Sequence, residues 1–283
     1  MFLCPVFRKK SIESGLDETK ADNGKYLGVY RLSSQEVAQK KIEKELLKPL
    51  VKNGMIRRYQ LNYSNEYLLF IDKEIDIKRY PNTLKHLNEF KPQLEERYDI
   101  RKGNFPWYRL SNLRNIGLLL SKKDKLFVPM IAPENRFIFI KSDSFICTAD
   151  VYVVILKDER FNLRYIQGIL NSKLMNYFIK QNSKAMDGAA STSEGVRKRR
   201  YSYSVGNMSQ IPIKIAPNRI QEELTQLVIK IEDQYRKLKE FGEKQTSERQ
   251  NLEQEIEKTN EKIDEFVYKL YGITDDERKV IEK

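Results

Sequence analysis

The spacing of apolar residues changes several times along this chain, and each change marks a different kind of element. Residues 1 to 32 hold no period, and the polar run Ser11 to Lys25 reads as a loose lead-in with one strand near Tyr26 to Tyr30. Ser33 with Glu36 three places on is a capping box, which predicts a helix through Lys48 that Pro49 ends. Tyr67 to Ile71 is an apolar strand run. In Tyr80 to Leu110, Thr83 is placed to cap a helix with Leu84, Leu87 and Phe90 on one face. Pro92 then opens a second helix carrying Leu94 and Tyr98. A polar loop of Arg101, Lys102, Gly103 and Asn104 follows, beside Trp107 and Tyr108. Five strand-like runs come next: Ile116 to Leu120, Leu126 to Ala132, Phe137 to Ile140, Phe145 to Thr148 and Val151 to Leu156. Asn162 caps a helix whose apolar positions, Leu163, Ile166, Leu170, Leu174 and Tyr177, step by threes and fours to lie on a sheet.

Asn182 to Gly195 is small and polar, which predicts a flexible loop. The run VRKRRYSYSVG follows, and its alternation predicts a strand with Tyr201 and Tyr203 on one face. Beyond Pro217 the period becomes that of paired helices. Ile220, Leu224, Leu227, Ile231, Gln234, Leu238 and Phe241 form one seam; Leu252, Ile256, Asn260, Ile263, Val267 and Leu270 form another, with a break at Gly242. The expected fold is α+β: residues 1–215 on a twisted, mostly antiparallel sheet with flanking helices, then a coiled-coil-like helical hairpin over 216–283.

Charge sharpens this division. The 283 residues carry a formal charge of +12, yet from Ala216 onward there are 13 Lys and Arg against 17 Asp and Glu, and before it 39 against 23. The basic excess belongs to the front part, where it interleaves with tyrosines, as suits a polyanion partner. A mean hydropathy of -0.64 and the lack of an apolar run near the roughly 20 residues of a spanning helix give no membrane segment. The charged start MFLCPVFRKK does not read as a secretory signal, so a cytoplasmic protein is expected. Cys4 and Cys147 are too few for a structural zinc site or a disulfide framework, and Cys147 is expected to pack in a strand as a free thiol.

Five runs in order carry a family resemblance: KPLVKNGMIRRY (Lys48 to Tyr59), Tyr80 to Tyr108, Ile166 to Phe178, Gln210 to Ile213, and IDEFVYKLYGIT (Ile263 to Thr274). With them the chain resembles the TaqI-like C-terminal specificity domain, the target recognition domain of type IIG, Eco57I-like, adenine-specific restriction-modification enzymes. The resemblance implies sequence-specific recognition of double-stranded DNA on behalf of a DNA methyltransferase domain or subunit, with or without an endonuclease. It also implies that methyl transfer belongs to a catalytic domain upstream.

The residues agree with that division. An adenine methyltransferase needs a glycine loop for its methionine cofactor and an Asn/Asp-Pro-Pro-Tyr/Phe loop for the extruded base. Neither pattern occurs, and GKYLG at Gly24 to Gly28 is no such loop, so S-adenosylmethionine is expected only in the associated methyltransferase. The nearest nuclease-like cluster, Glu74, Asp76 and Lys78 with Asp72, reads as a polar approach to the Tyr-Pro turn. His86, the one histidine, falls at a helix edge and reads as structural. The chain alone is therefore not expected to be an enzyme.

Residue type and placement give the candidate contacts. Arg57, Arg58, Lys78, Arg79, Arg101 and Lys102 are candidates for DNA phosphate. Asn104, Trp107, Arg197, Arg199, Arg200 and Tyr201 are candidates for reading base edges. Two other readings remain open: a non-specific nucleic-acid-binding adaptor, stacking bases on Trp107, Tyr108 and Tyr201, and a coiled-coil assembly protein.

Overall fold

The structure, a computed structural model, describes residues 3–4, 12–14, 28–72, 74–103, 105–110, 116–158, 160–193, 195–242 and 245–283. In chain order its strands are β1 (Leu3–Cys4), β2 (Ile12–Ser14), β3 (Arg31–Ser33), β4 (Leu47–Val51), β5 (Ile56–Arg57), β6 (Gln60–Leu61), β7 (Glu66–Leu69), β8 (Lys125–Pro129), β9 (Ile131–Ala132), β10 (Ile138–Ile140), β11 (Ile146–Cys147), β12 (Val151–Val154), β13 (Ala185–Ser191), β14 (Arg197–Ser202) and β15 (Ile213–Lys214).

The sheet β10-β8-β12-β2 is antiparallel throughout and divides two hydrophobic cores. Side chains alternate along a strand, so neighbours sort to opposite faces. Leu126, Val128 and Val154 enter a core with the C-terminal helices. Phe127, Val151, Val153, Ile138 and Ile140 enter the other, with the N-terminal part of the described chain. A sheet covered on both faces explains why these runs read as continuous apolar stretches. A second sheet, β11-β4-β7-β3, pairs β11 parallel to β4 and the rest antiparallel. Cys147 is buried in β11 as a free thiol, as expected.

The predicted α+β class holds, with five small sheets among the described residues in place of one, and several local readings need correction. The capping box is present, with Ser33 Oγ and the Glu36 carboxylate closing it reciprocally. However, the helix stops at Lys40, where Lys41 turns left-handed at φ 52°, and Pro49 lies inside β4. Pro49 is tolerated there because β11 pairs only with Leu50 and Val51. We expect Ser33→Ala to lower stability by about 1 kcal/mol in urea unfolding; no loss would mean the box contributes nothing. Ile116 to Leu120, expected as a strand, is the short helix Ile116–Leu119, since so short an apolar run has no period to separate the two. The carbonyls of Leu118, Leu119 and Ser121 accept hydrogen bonds from the buried Lys125 ammonium.

Thr83 does not cap its helix, which begins at Pro81 and encloses it. Glu43 performs that role from outside, accepting from the Asn82 and Thr83 N–H groups at 2.9 Å each. Arg101 to Gly103 form the last turn of a helix, Tyr98–Gly103, where a loop was expected. The helix capped by Asn162 ends at Asn171. Ser172 then caps a second helix, Lys173–Asn182, which carries Leu174 and Tyr177.

The C-terminal pair of helices is Asn218–Glu240 and Ser247–Tyr271, followed by a short helix, Asp275–Ile281. Gly242, at φ 61°, lies at the predicted break. The apolar seams meet each other and the body together: Leu224, Val228, Ile231, Ile256, Ile263 and Val267 share a core with Ile166, Ile169 and Leu170. Gly168 allows this approach, because a Cβ there would lie 2.9 Å from Val228 Cγ2 and 3.0 Å from Leu224 Cγ.

Candidate nucleic-acid interface

Residues 182–195, expected as a loop, contain β13, which pairs antiparallel with β14 to form a ribbon. Ala185, Met186, Ala189 and Ala190 have little strand preference of their own, and pairing with the VRKRRYS strand holds them extended. A turn closes the ribbon, with Gly195 at φ 83° and Thr192 N–H bonded to Val196 O at 2.8 Å. At its other end β14 pairs with β9, Tyr201 opposite Ala132 and Ser202 opposite Ile131.

The turn is fastened to the body by groups that were not among the candidates read from the sequence. Glu134 Oε1 accepts the Ser193 N–H and the Arg136 Nε–H, and Arg136 Nη2 donates to Ser191 O. Both side chains are buried. The segment carrying them is in turn held by Asn171, whose amide bonds the Phe137 N–H at 2.9 Å and the Phe137 carbonyl at 2.8 Å. Asn135 donates to the carbonyls of Leu170 and Ser172. The run PENRF between two apolar stretches was the available signal, since a charged pair there must be solvated or paired.

On this ribbon Arg197, Lys198 and Arg199 are consecutive and exposed. Successive strand residues point to opposite sides, so the ribbon carries cations on both faces. Six strand residues span about 20 Å, and a two-stranded ribbon of this kind fits a major groove about 12 Å wide. The other candidates on it differ. Arg200 is half-buried and donates from Nη2 to Asp187 O. Tyr201 is half-buried, with Lys180 Nζ 6.0 Å from its ring centroid. Tyr203, expected beside it, lies in the core edge-on to Phe137 at 6.3 Å.

The phosphate candidates fall into two groups. Arg57 and Arg58 lie on the seam between the cores, since Ile56 belongs to one and Tyr59 to the other. Arg57 Nη1 donates to Gly54 O and Ile56 O. Arg58 is turned inward; its Nη2 donates to Asn171 O at 2.7 Å, and its N–H bonds Ser193 Oγ, which ties it to the ribbon turn. Lys78, Arg79, Arg101 and Lys102 are exposed on the other lobe, Arg79 3.9 Å from Asp76 and Lys102 5.0 Å from the Tyr98 ring centroid. Trp107 is half-buried there, edge-on to Tyr108 at 5.7 Å and with Lys91 Nζ 5.4 Å from its centroid. Asn104 lies outside the described residues. The structure thus ties Arg58 to the ribbon turn, with Arg57 next to it in the chain, and builds the second group on the other core.

The family description that matches is TaqI-like C-terminal specificity domain, over residues 48–194. The chain belongs to this family. As a TaqI-like specificity domain it is a specificity module of type II restriction-modification enzymes. It is 31% identical over 147 residues to the Type II methyltransferase M.MjaIV of Methanocaldococcus jannaschii, a match covering 48% of this chain and 48% of that enzyme. The chain therefore spans about half the length of this curated relative. It also shares its fold with the Type IIL restriction-modification enzyme MmeI, solved in complex with DNA. The TM-score is 0.61 at 15% identity, over 97% of this chain and 35% of that one.

Elsewhere on this specificity domain, the polar residues weighed for catalysis hold turns. Asp72 Oδ1 accepts the Glu74 N–H, and Asp76 Oδ1 accepts the Lys78 N–H. His86 is buried, with Nε2 2.8 Å from Val29 O and no hydrogen-bond partner for Nδ1 among the described residues. Burial pushes its pKa below the ordinary 6.5. A folded pKa below the unfolded one means this group's stabilising share is intact above about pH 6.5 and declines as pH falls through that value. We expect His86→Gln, which keeps a donor for Val29 but cannot be protonated, to flatten the decline in melting temperature between about pH 7 and 5.5. An unchanged profile would remove His86 as its source. No helix among the described residues is long and apolar enough to cross a membrane.

Proposed function

We propose that this chain reads a specific sequence in double-stranded DNA as the specificity part of a type II, type IIG-like, restriction-modification DNA methyltransferase, delivering adenine methylation to its site. The observation that carries this reading is the ribbon: Arg197, Lys198 and Arg199 exposed in a row on a two-stranded element of groove-fitting width, anchored to the body at both ends. MmeI, whose fold is similar, was solved on DNA, which supports the same choice of partner. Arg57, Lys78, Arg79, Arg101 and Lys102 are the phosphate contacts, while Arg58 and Arg200 support the ribbon from within. Residues 1–215 do the reading and 216–283 brace them. Methyl transfer, with its S-adenosylmethionine, and any endonuclease belong to a partner domain or subunit, and the assembly works in the cytoplasm.

Binding measured against salt tests this. Neutralising phosphates releases counterions, so affinity for a duplex is expected to fall linearly in log-log form, with a slope of about -0.9 per phosphate contacted. Preference for one sequence is expected to survive at about 0.2 M salt. A slope with no sequence preference would instead mark a non-specific adaptor, and neither effect an assembly protein.

A further inference from the structure

The ribbon contains a deliberate irregularity. Met186 faces Arg200 and Ala189 faces Arg199, so Asp187 and Gly188 are two extra residues that bulge out of β13. Such bulges re-aim a side chain. Gly188 takes φ 77°, and a Cβ there would lie 3.2 Å from Arg200 Nη2. Glycine thus serves both the left-handed turn and the close passage of the guanidinium. Arg200 crosses to the bulge and donates to Asp187 O, fixing the loop's backbone. The Asp187 carboxylate is exposed and forms no ion pair among the described residues, although Arg197, Lys198 and Arg199 lie on the partner strand.

A free carboxylate on a surface that meets a polyanion is repelled by every phosphate it approaches. It is favourable only against a donor, and in the major groove the donors are the exocyclic amines, cytosine N4 and adenine N6. Resting on the DNA-reading function proposed above, we infer that Asp187 is a base-reading residue for a cytosine or adenine amine, and that Arg200 is its positioning residue.

The test is selection of binding sites from a randomised duplex pool by the full chain. The wild type is expected to prefer cytosine or adenine at one position. Asp187→Ala is expected to lose about tenfold of that preference, keep the others, and bind random DNA more tightly at low salt. Asp187→Asn is expected to move a cytosine preference toward adenine, the base an amide pairs with through two hydrogen bonds. Arg200→Ala is expected to relax the same position alone, with partial rescue by Arg200→Lys; relaxation at every position would mean that Arg200 only holds the ribbon together, and would overturn its positioning role. Preferences unchanged by Asp187→Ala would overturn the Asp187 assignment while leaving DNA reading intact. A wild type with no preference anywhere would overturn DNA reading itself and this inference with it.

Discussion

Replacing Arg197, Lys198 and Arg199 together by alanine is expected to weaken duplex binding about a hundredfold near 0.1 M salt, and to leave the melting temperature nearly unchanged. The three side chains are exposed, and among the described residues Arg197 makes only a long 3.4 Å hydrogen bond, to Ala189 O, so little of the fold depends on them. If each neutralises one phosphate, their removal reduces the log-log salt slope by about 2.7. A hundredfold loss corresponds to about 2.7 kcal/mol, or roughly 0.9 kcal/mol per cation, a modest demand on charge-assisted contacts. Fluorescence anisotropy at several salt concentrations would measure both quantities. Affinity and slope equal to wild type would remove the ribbon from the interface.

Asn171→Ala is expected to act in the opposite way, costing about 1–3 kcal/mol of stability. Its buried amide bonds both the N–H and the carbonyl of Phe137; alanine leaves the N–H without this partner in a dry environment, and the carbonyl with the longer 3.2 Å bond from Gln167 Nε2. The same segment carries Asn135 and the Glu134–Arg136 pair, so loosening it also frees the ribbon turn at Ser191 and Ser193. We expect a reduced urea midpoint together with faster amide exchange in β13. An unfolding free energy within about 0.5 kcal/mol of wild type would show that the bidentate link to Phe137 is not a main support of this region.

What could be read from the residues depended on how local the determining physics is. Ser33 and Glu36 signal a helix start by themselves, because both partners of the capping box lie within four residues. The tail seams were visible because Leu224, Ile231, Ile256 and Ile263 repeat at helical spacing over long stretches. The runs around β8, β10 and β12 were visible as strands through their valines, isoleucines and phenylalanines. By contrast, Ala185 to Ser191 carries no intrinsic strand signal, and its conformation comes from a partner some ten residues away. Thr83 has the chemistry of a cap, but Glu43 reaches the same N–H groups from a different element. Among the site residues, the basic run that holds Arg197, Arg199 and Arg200 was visible in the sequence as a cluster of cations. The inward turn of Arg58 and the bond from Arg200 to the bulge required the tertiary fold, as did the burial of Glu134 and Arg136. Charged residues in a basic protein look alike in sequence; which of them face solvent is decided by packing.

The most direct measurement is photo-crosslinking from the ribbon itself. With a photo-reactive phenylalanine analogue at Lys198, and separately at the exposed Lys258 of the tail helix, irradiation on a bound duplex followed by mapping reports which surface touches DNA. Crosslinks from position 198 to bases within one preferred site, and none from position 258, are the predicted result. Crosslinks from the tail position with none from the ribbon would contradict the account.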